Sequence, residues 1–593
     1  MREKIYSVRE FRGLQESPDG DTGLLPGEAS VMKNFTVSRE GSLCKRPGTR
    51  CLLRLGTEPV KAMWQGRVAG EEGLYCAQGG KLWKLSASGD DLQGEALGEL
   101  DCSAVPQLFG FSDKLYILTG SEYKCFDGQS LSDAEGYVPL VLVSLTPEGG
   151  GESLEGINRL SSERRAWLSP DGSGREFTLP DKDIAGVEYV KKLSDGSLLP
   201  PEFWEFSPDS GKLSFTAAPE QGVNSLEVCW DSGHCSRETV ERMRWAEIYN
   251  GFQDSRVFLC GDGSGRCIYS GLGENGAPRA DYFPELNEIC PGESNSPVTG
   301  LIRHHSQLLC FKEDSLWCID AGTAEGPESG VRTAFYCRPV NRSMGNAAPG
   351  QLRLVMNSPR SLWGGGLYSW QSGAGAASEQ MREAVMISGG ICRSLSEFDF
   401  SRCLCFDDAP AREYYICCGD RALVENYARG AWYSIEGPDI RAMLRRRGRL
   451  LIGSGDGKIL EMGRQYSSDE GRAIDCLWES GSMDLGEEHM EKYSGALYLG
   501  IKPQARAEIS ASVITDRQSG GAEKTLRTRL MSFADASFAS WSFSTAREAR
   551  IKKLRLRARR FVYYRLRLMS CSADSTAVVL SAGIRLRCTG RAG

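Results

Sequence analysis

Histidine, the side chain that titrates nearest neutral pH and often ligates metals, is scarce in this chain. Among its 593 residues are four histidines, His234, His304, His305 and His489. The adjacent pair His304-His305 suggests a metal ligand set or a proton relay. Consecutive residues of a strand point to opposite faces, however, so a single ion cannot easily use both. Asp19-Gly20-Asp21-Thr22-Gly23 could open a calcium loop, but Ser30 stands at the twelfth position, where a bidentate glutamate belongs. A Walker loop, a G-x-S-x-G elbow and an H-E-x-x-H pair are all absent from the sequence. The 21 cysteines are scattered without a C-x-x-C pair, which argues against structural zinc. Several, such as Cys260, Cys310 and Cys318, lie in apolar runs, and they read as reduced core residues of a protein made in a cytoplasm. No cofactor and no metal are expected.

The stronger signal is charge. From Arg547 to Arg587 twelve Lys and Arg face only Glu548 and Asp574. In IKKLRLRA, YYRLRLM and IRLR the cations alternate with apolar residues from Leu554 onward. Period two predicts strands with one basic face and one buried face. The residues concerned are Lys552, Lys553, Arg555, Arg557, Arg565, Arg567, Arg585 and Arg587. Such a face can meet DNA phosphates without sequence preference or an acidic neighbouring subunit. It can also lie in solvent, its long stems covering apolar surface. The net charge of -7 is mild and does not mark the whole chain as a nucleic-acid or membrane binder.

The elements that carry these residues read as strands. The 69 glycines sit between short apolar runs, as many tight turns require. Six segments share one plan of strand, Gly/Asp/Ser turn and strand: Glu72–Leu85, Asp113–Gly128, and those starting at Arg256, Ser306, Arg412 and Gly448. A hairpin cannot bury its apolar faces alone, whereas small sheets packed face to face in a propeller can. A large β-sandwich or several separate β domains would give a related pattern. Turn signals change between Leu140 and Asp231, which predicts an inserted antiparallel β domain. Ser236 to Asn250 predicts a short helix capped by Ser236, with Val240, Met243 and Ala246 on its apolar side. The expected division is 1–139 (N-terminal segment and first propeller hairpins), 140–235 (inserted domain), 236–465 (propeller core) and 466–593 (C-terminal β region with the basic strands). The expected fold class is all-β, a β-propeller with those two additions. The N-terminus shows no signal peptide, and no run of about 18 apolar residues occurs, so no membrane insertion is expected.

Three cues, in order, resemble a known family. Asn34-Phe35, then Gly41, Leu43 and Lys45-Arg46-Pro47-Gly48, follow an early Gly13-Leu14. Tyr282-Phe283-Pro284 precedes Leu308, Phe311 and Trp317. The segment from Asn426 to Gly463 comes before the basic Tyr-Tyr strand. This order resembles the tail nozzle (tail hub) proteins of bacteriophages, the tail tubular protein B and packaged-DNA stabilisation types. The resemblance implies a non-enzymatic structural virion protein, located in the tail and assembled in the host bacterial cytoplasm. It implies a homohexameric ring below the portal and adaptor, in contact with distal tail proteins, which retains packaged double-stranded DNA and guides its ejection. The rival expectation is a propeller-type glycan-binding or glycan-cleaving protein of a virion or bacterial surface. Ser207, Asp209 and Gly211 match the start of the propeller sialidase turn S-x-D-x-G-x-T-W, but Ser214 stands in place of its tryptophan. An ordinary Asp-Gly turn accounts for that match.

Overall fold

The computed structural model describes residues 3–591 apart from 17–20, 183, 209, 251–254, 294, 326–330, 373–381, 505, 519, 522 and 531–547. Asp19, Gly20, Asp209 and Arg547, used in the readings above, lie outside the described residues. Strands take 57% of the described residues and helix 4%, so the all-β expectation holds. Two compact units emerge. One comprises 1–63, 85–95 and 350–593, the other 64–84 and 96–349.

The second unit is built of four-stranded sheets whose strands follow one another in sequence order. Gln107–Phe111, Lys114–Leu118, Tyr123–Phe126 and Leu131–Asp133 form one such meander. Trp245–Asn250, Ser255–Cys260, Cys267–Tyr269 and Glu288–Ile289 form another, and Val298–His304, Gln307–Lys312, Leu316–Glu325 and Val331–Asn341 a third. The four-stranded antiparallel meander is the blade of a β-propeller. Its inward residues (Val257, Leu259, Ile268, Leu301, Leu308 and Cys310 among them) are wholly buried. Val60–Val68, Glu71–Gln78, Lys81–Ser88 and Asp91–Glu99 make a further sheet of the same order, though its residues are divided between the two units rather than belonging to the second alone.

Between two of these blades the chain from Leu140 to Asp231 forms two sheets of its own. One has five strands and the other three, and they share a core around Trp230, Phe177, Leu213 and Val228. The insertion is not purely antiparallel. Leu140–Leu145 pairs in parallel with Glu163–Leu168, the chain returning through the short strand Glu152–Ser153. The predicted helix shrinks to Arg237–Glu241, Ser236 makes no side-chain cap, and Trp245–Asn250 is already a strand. Tertiary pairing with Ser255–Cys260 overrides the local helical spacing. Val240, Met243 and Ala246 nevertheless share one core.

The first unit holds a blade missed by the sequence reading, Arg353–Val355, Ser358–Trp363, Gly366–Ser372 and Arg382–Met386. The hairpin expected from Arg412 is instead one continuous strand, Glu413–Asn426. Gly419, at φ 66°, bends it without reversing it. Its first part pairs with Leu404–Asp408 and its second, after a bulge, with Ala431–Arg446. Ala431–Arg446 then pairs with Arg449–Ser454, which pairs with Lys458–Gly463. The fourth strand of this blade comes from far upstream, Gly48–Arg54.

Two C-terminal stretches of sheet complete the unit. One is no separate sheet: Cys476–Ser480, Tyr564–Ser570, Arg506–Thr515 and Lys524–Arg529 extend that blade's own sheet through the N-terminal Glu28–Lys33, which pairs with Ala431–Arg446. In the other, Val578–Arg591 and Met490–Ile501 pair over most of their length. Lys4–Val8 and Leu43–Lys45 add to the first of these strands, while Arg550–Leu554 and Ala558–Phe561 add to the second. The N-terminal segment is thus woven into the C-terminal region as well as into a blade. Gly48 sets the closeness of that weave, because a Cβ there would stand 2.2 Å from the Ser468 carbonyl oxygen. Gly48→Ala is expected to lower the unfolding free energy by about 1–3 kcal/mol, the usual cost of overpacking, as read by chemical denaturation.

Candidate functional site

The N-terminal cue residues form a buried polar clamp. Asn34 adopts φ 56°, a left-handed conformation that asparagine tolerates better than most residues. Its Oδ1 accepts from Arg46 Nε at 2.8 Å and from the Glu436 backbone N–H at 2.9 Å, while its Nδ2 donates to the Asp475 carbonyl at 2.8 Å. The Arg46 side chain is fully enclosed. Its Nη1 donates to the Pro47 carbonyl at 2.9 Å and to Asp469 Oδ1 at 3.0 Å; its Nη2 donates to the Glu436 carbonyl at 3.1 Å and to Asp469 Oδ2. All five guanidinium N–H donors are therefore used, the condition under which a buried cation is tolerated. Lys45 Nζ donates to the Ser572 and Ser575 carbonyls at 2.6 and 3.0 Å, and burial lowers its pKa. Phe35 is wholly buried in the core of this unit.

The second cue is also structural. Tyr282 donates its hydroxyl to the Gly156 carbonyl at 2.8 Å, the Phe283 N–H donates to Asn158 Oδ1 at 2.9 Å, and Pro284 bridges to Asn158. Together they fix residues 156–158, the stretch of the insertion between Glu152–Ser153 and Glu163–Leu168. Phe311 is buried, and Trp317 Nε1 donates to Ser315 Oγ at 3.1 Å.

The basic residues divide into two groups. Burial alternates as predicted, with Leu554, Leu556 and Ala558 inside and Arg555 and Arg557 exposed, although the strand breaks between Leu554 and Ala558. Lys553 is exposed as well, Lys552 half-exposed, and Ile551 is 75% exposed. Arg565 and Arg567 are not a free face. Arg567 Nε donates to the buried Glu479 at 2.8 Å, and Arg565 reaches the same carboxylate at 3.5 Å and Ser482 Oγ at 2.7 Å. Arg585 pairs with Glu3 at 2.6 Å, lowering the pKa of that carboxyl through the hydrogen bond. The Arg587 guanidinium lies 5.9 Å from the Tyr493 ring centroid.

His304 is buried at the end of its strand, and His305 turns out of it at φ 55°. Their rings consequently meet at 4.1 Å between centroids rather than pointing to opposite faces. Among the described residues no group of three or more His, Cys, Asp or Glu could hold a metal ion.

A cleft of about 1400 Å³ in the first unit has no counterpart among the sequence expectations. Its walls come from the turn after Phe35–Val37, the turn between Ala431–Arg446 and Arg449–Ser454, the loop after Lys458–Gly463, and residues 502–504 and 576–580. Glu413 lines it and accepts from the Tyr415 and Tyr433 hydroxyls at 2.8 and 2.9 Å. Burial raises the Glu413 pKa against the opposing pull of those two bonds. The Arg445-Arg446-Arg447-Gly448-Arg449 run was the available signal, but the segments that face it are remote in sequence.

No family model matches the chain, and no curated protein matches it in sequence. Among solved structures it is similar to the computationally designed Ika8 protein, at 12% identity and TM-score 0.32, covering 70% of this chain and 99% of that one. It is similar to the AfRom2 CNH domain at 8% identity and TM-score 0.33, covering 70% and 99%. It is also similar to BamB from Moraxella catarrhalis at 10% identity and TM-score 0.29, covering 76% and 96%.

Two predictions test this geometry. Arg46→Ala strands the Asp469 carboxylate and should cost about 3–5 kcal/mol of unfolding free energy; Arg46→Lys should recover little, because one ammonium cannot replace five planar donors. A carboxyl whose folded pKa is raised costs stability once ionised, and that cost disappears as pH falls toward the unfolded-state value. Glu413→Gln should therefore remove a stability gain that the parent protein shows as pH falls from neutral toward the ordinary carboxylate range, measured as the difference between their denaturation midpoints.

Proposed function

We propose that the chain is a structural, non-enzymatic subunit of a bacteriophage tail, a nozzle or hub protein that assembles into a ring of six. In that role it continues the DNA channel below the portal and adaptor, holds packaged DNA and guides it out. The observation that carries the reading is the clamp. Asn34, Lys45, Arg46 and Gly48, which carry the first family cue, tie the N-terminal segment to segments more than 400 residues away. The cue thus marks architecture rather than catalysis, as the family's role requires. Arg555 and Arg557, exposed and in no salt bridge among the described residues, supply the surface for an acidic neighbour.

Negative-stain microscopy of the purified protein, alone and with virion neighbours, should show rings. Arg555→Glu with Arg557→Glu should abolish those rings while leaving the melting temperature unchanged. Monomers that hydrolyse a polysaccharide would overturn the reading, and unchanged rings in the double variant would remove these arginines from the interface.

A further inference from the structure

The carboxylates lining the cleft of the first unit are already engaged. Asp408 pairs with Arg445, and Glu461 pairs with Arg449 at 3.2 Å and accepts from the Tyr466 hydroxyl at 3.1 Å. Glu413 is held by its two tyrosines, and Glu40 accepts from Ser38 Oγ at 2.9 Å. Four exposed cations on the same walls, Arg39, Arg447, Arg464 and Lys502, form no salt bridge with any described residue. They come from four separate segments, so neighbouring positions in the sequence do not explain their convergence. Like charges gathered around one cleft repel each other, and an anion between them relieves that repulsion.

The remaining polar lining narrows the class of anion. Thr36, Ser42, Asn426, Gln465, Gln504 and Thr576 are neutral hydroxyl or carboxamide side chains, suited to a ligand rich in hydroxyls. The volume, about 1400 Å³, exceeds what one phosphate or sulfate fills and holds several sugar units. A uronic acid presents a carboxylate and hydroxyls from one rigid ring, matching interleaved cations and neutral polar groups. An acidic peptide carries its carboxylates on flexible arms and buries its N–H groups between them. We propose that this cleft binds an acidic, uronate-containing oligosaccharide, its carboxylates on the guanidiniums of Arg39, Arg447 and Arg464 and on Lys502. Guanidinium forks suit such carboxylates, which they can take bidentately. This site is independent of the assembly role proposed above.

Calorimetric titration of the full-length protein with hexagalacturonate at about 0.15 M salt tests the proposal. Binding is expected, with maltohexaose giving none. Arg447→Ala combined with Arg464→Ala should weaken it about tenfold or more, near 1.4 kcal/mol. Both side chains are exposed, so the melting temperature should hold. Arg555→Ala with Arg557→Ala should bind like the parent. Absence of binding would overturn the proposal, as would hexaglutamate binding as tightly or more tightly, which would make the cleft a peptide site. Equal loss in both double variants, or loss in neither, would reduce the effect to diffuse attraction of a polyanion and also overturn it. Particle imaging of the same samples reads ring formation separately, so a failure of either proposal is distinguishable from a failure of the other.

Discussion

A guanidinium removed from water must find a partner for each of its five N–H groups, and in this protein that demand organises the first unit. Arg46 meets it with Asn34 and the Pro47 carbonyl from its own stretch of chain and with the Glu436 carbonyl and Asp469 from two remote segments. Each partner is then held by something else. Asn34 also caps the Glu436 N–H, Asp469 also accepts from Thr49, and Glu436 lies in the long strand that begins a blade. Loss of the cation would leave a carboxylate and several backbone groups without their bonds. Apolar burial alone would allow these strands to slide, whereas a forked, directional contact fixes their register.

Local patterns were legible in the sequence, and distant pairings were not. The hairpins from Glu72, Asp113, Arg256, Ser306 and Gly448 follow from apolar runs split by Gly-containing or acidic turns; the first four lie in four-stranded sheets as expected, whereas the last is part of a much larger sheet. The Arg412 segment misled because Gly419-Asp420 resembles a turn, while the structure uses Gly419 to bend a single strand. The Arg353–Met386 blade escaped because Ser358-Pro359-Arg360-Ser361 dilutes its apolar signal. The parallel pairing of Leu140–Leu145 with Glu163–Leu168 has no local marker, since either direction of pairing buries the same alternate residues.

The same division holds for charge. Alternation at Leu554 to Ala558 correctly separated a buried row from an exposed one. Arg565 and Arg567 carry the identical pattern, yet their partner, Glu479, lies more than 80 residues upstream on the adjacent strand. Strand neighbours of that kind decide whether a row of arginines is a surface or an interior bond, and no window along the chain contains them. The cleft is the extreme case, its cations coming from segments between residues 39 and 502.

The weaving of the N-terminal segment also sets a timetable for synthesis. Gly48–Arg54 finds its antiparallel partner only when Lys458–Gly463 exists, and Lys4–Val8 only when Val578–Arg591 exists. At about 5–20 residues per second, a ribosome takes on the order of half a minute to two minutes to reach that last strand. Throughout that interval the first strands leave the tunnel with unpaired edges, open to pairing with other nascent chains. For the first unit, completion waits on the synthesis of Val578–Arg591, which makes that strand as decisive for yield as any residue in the core.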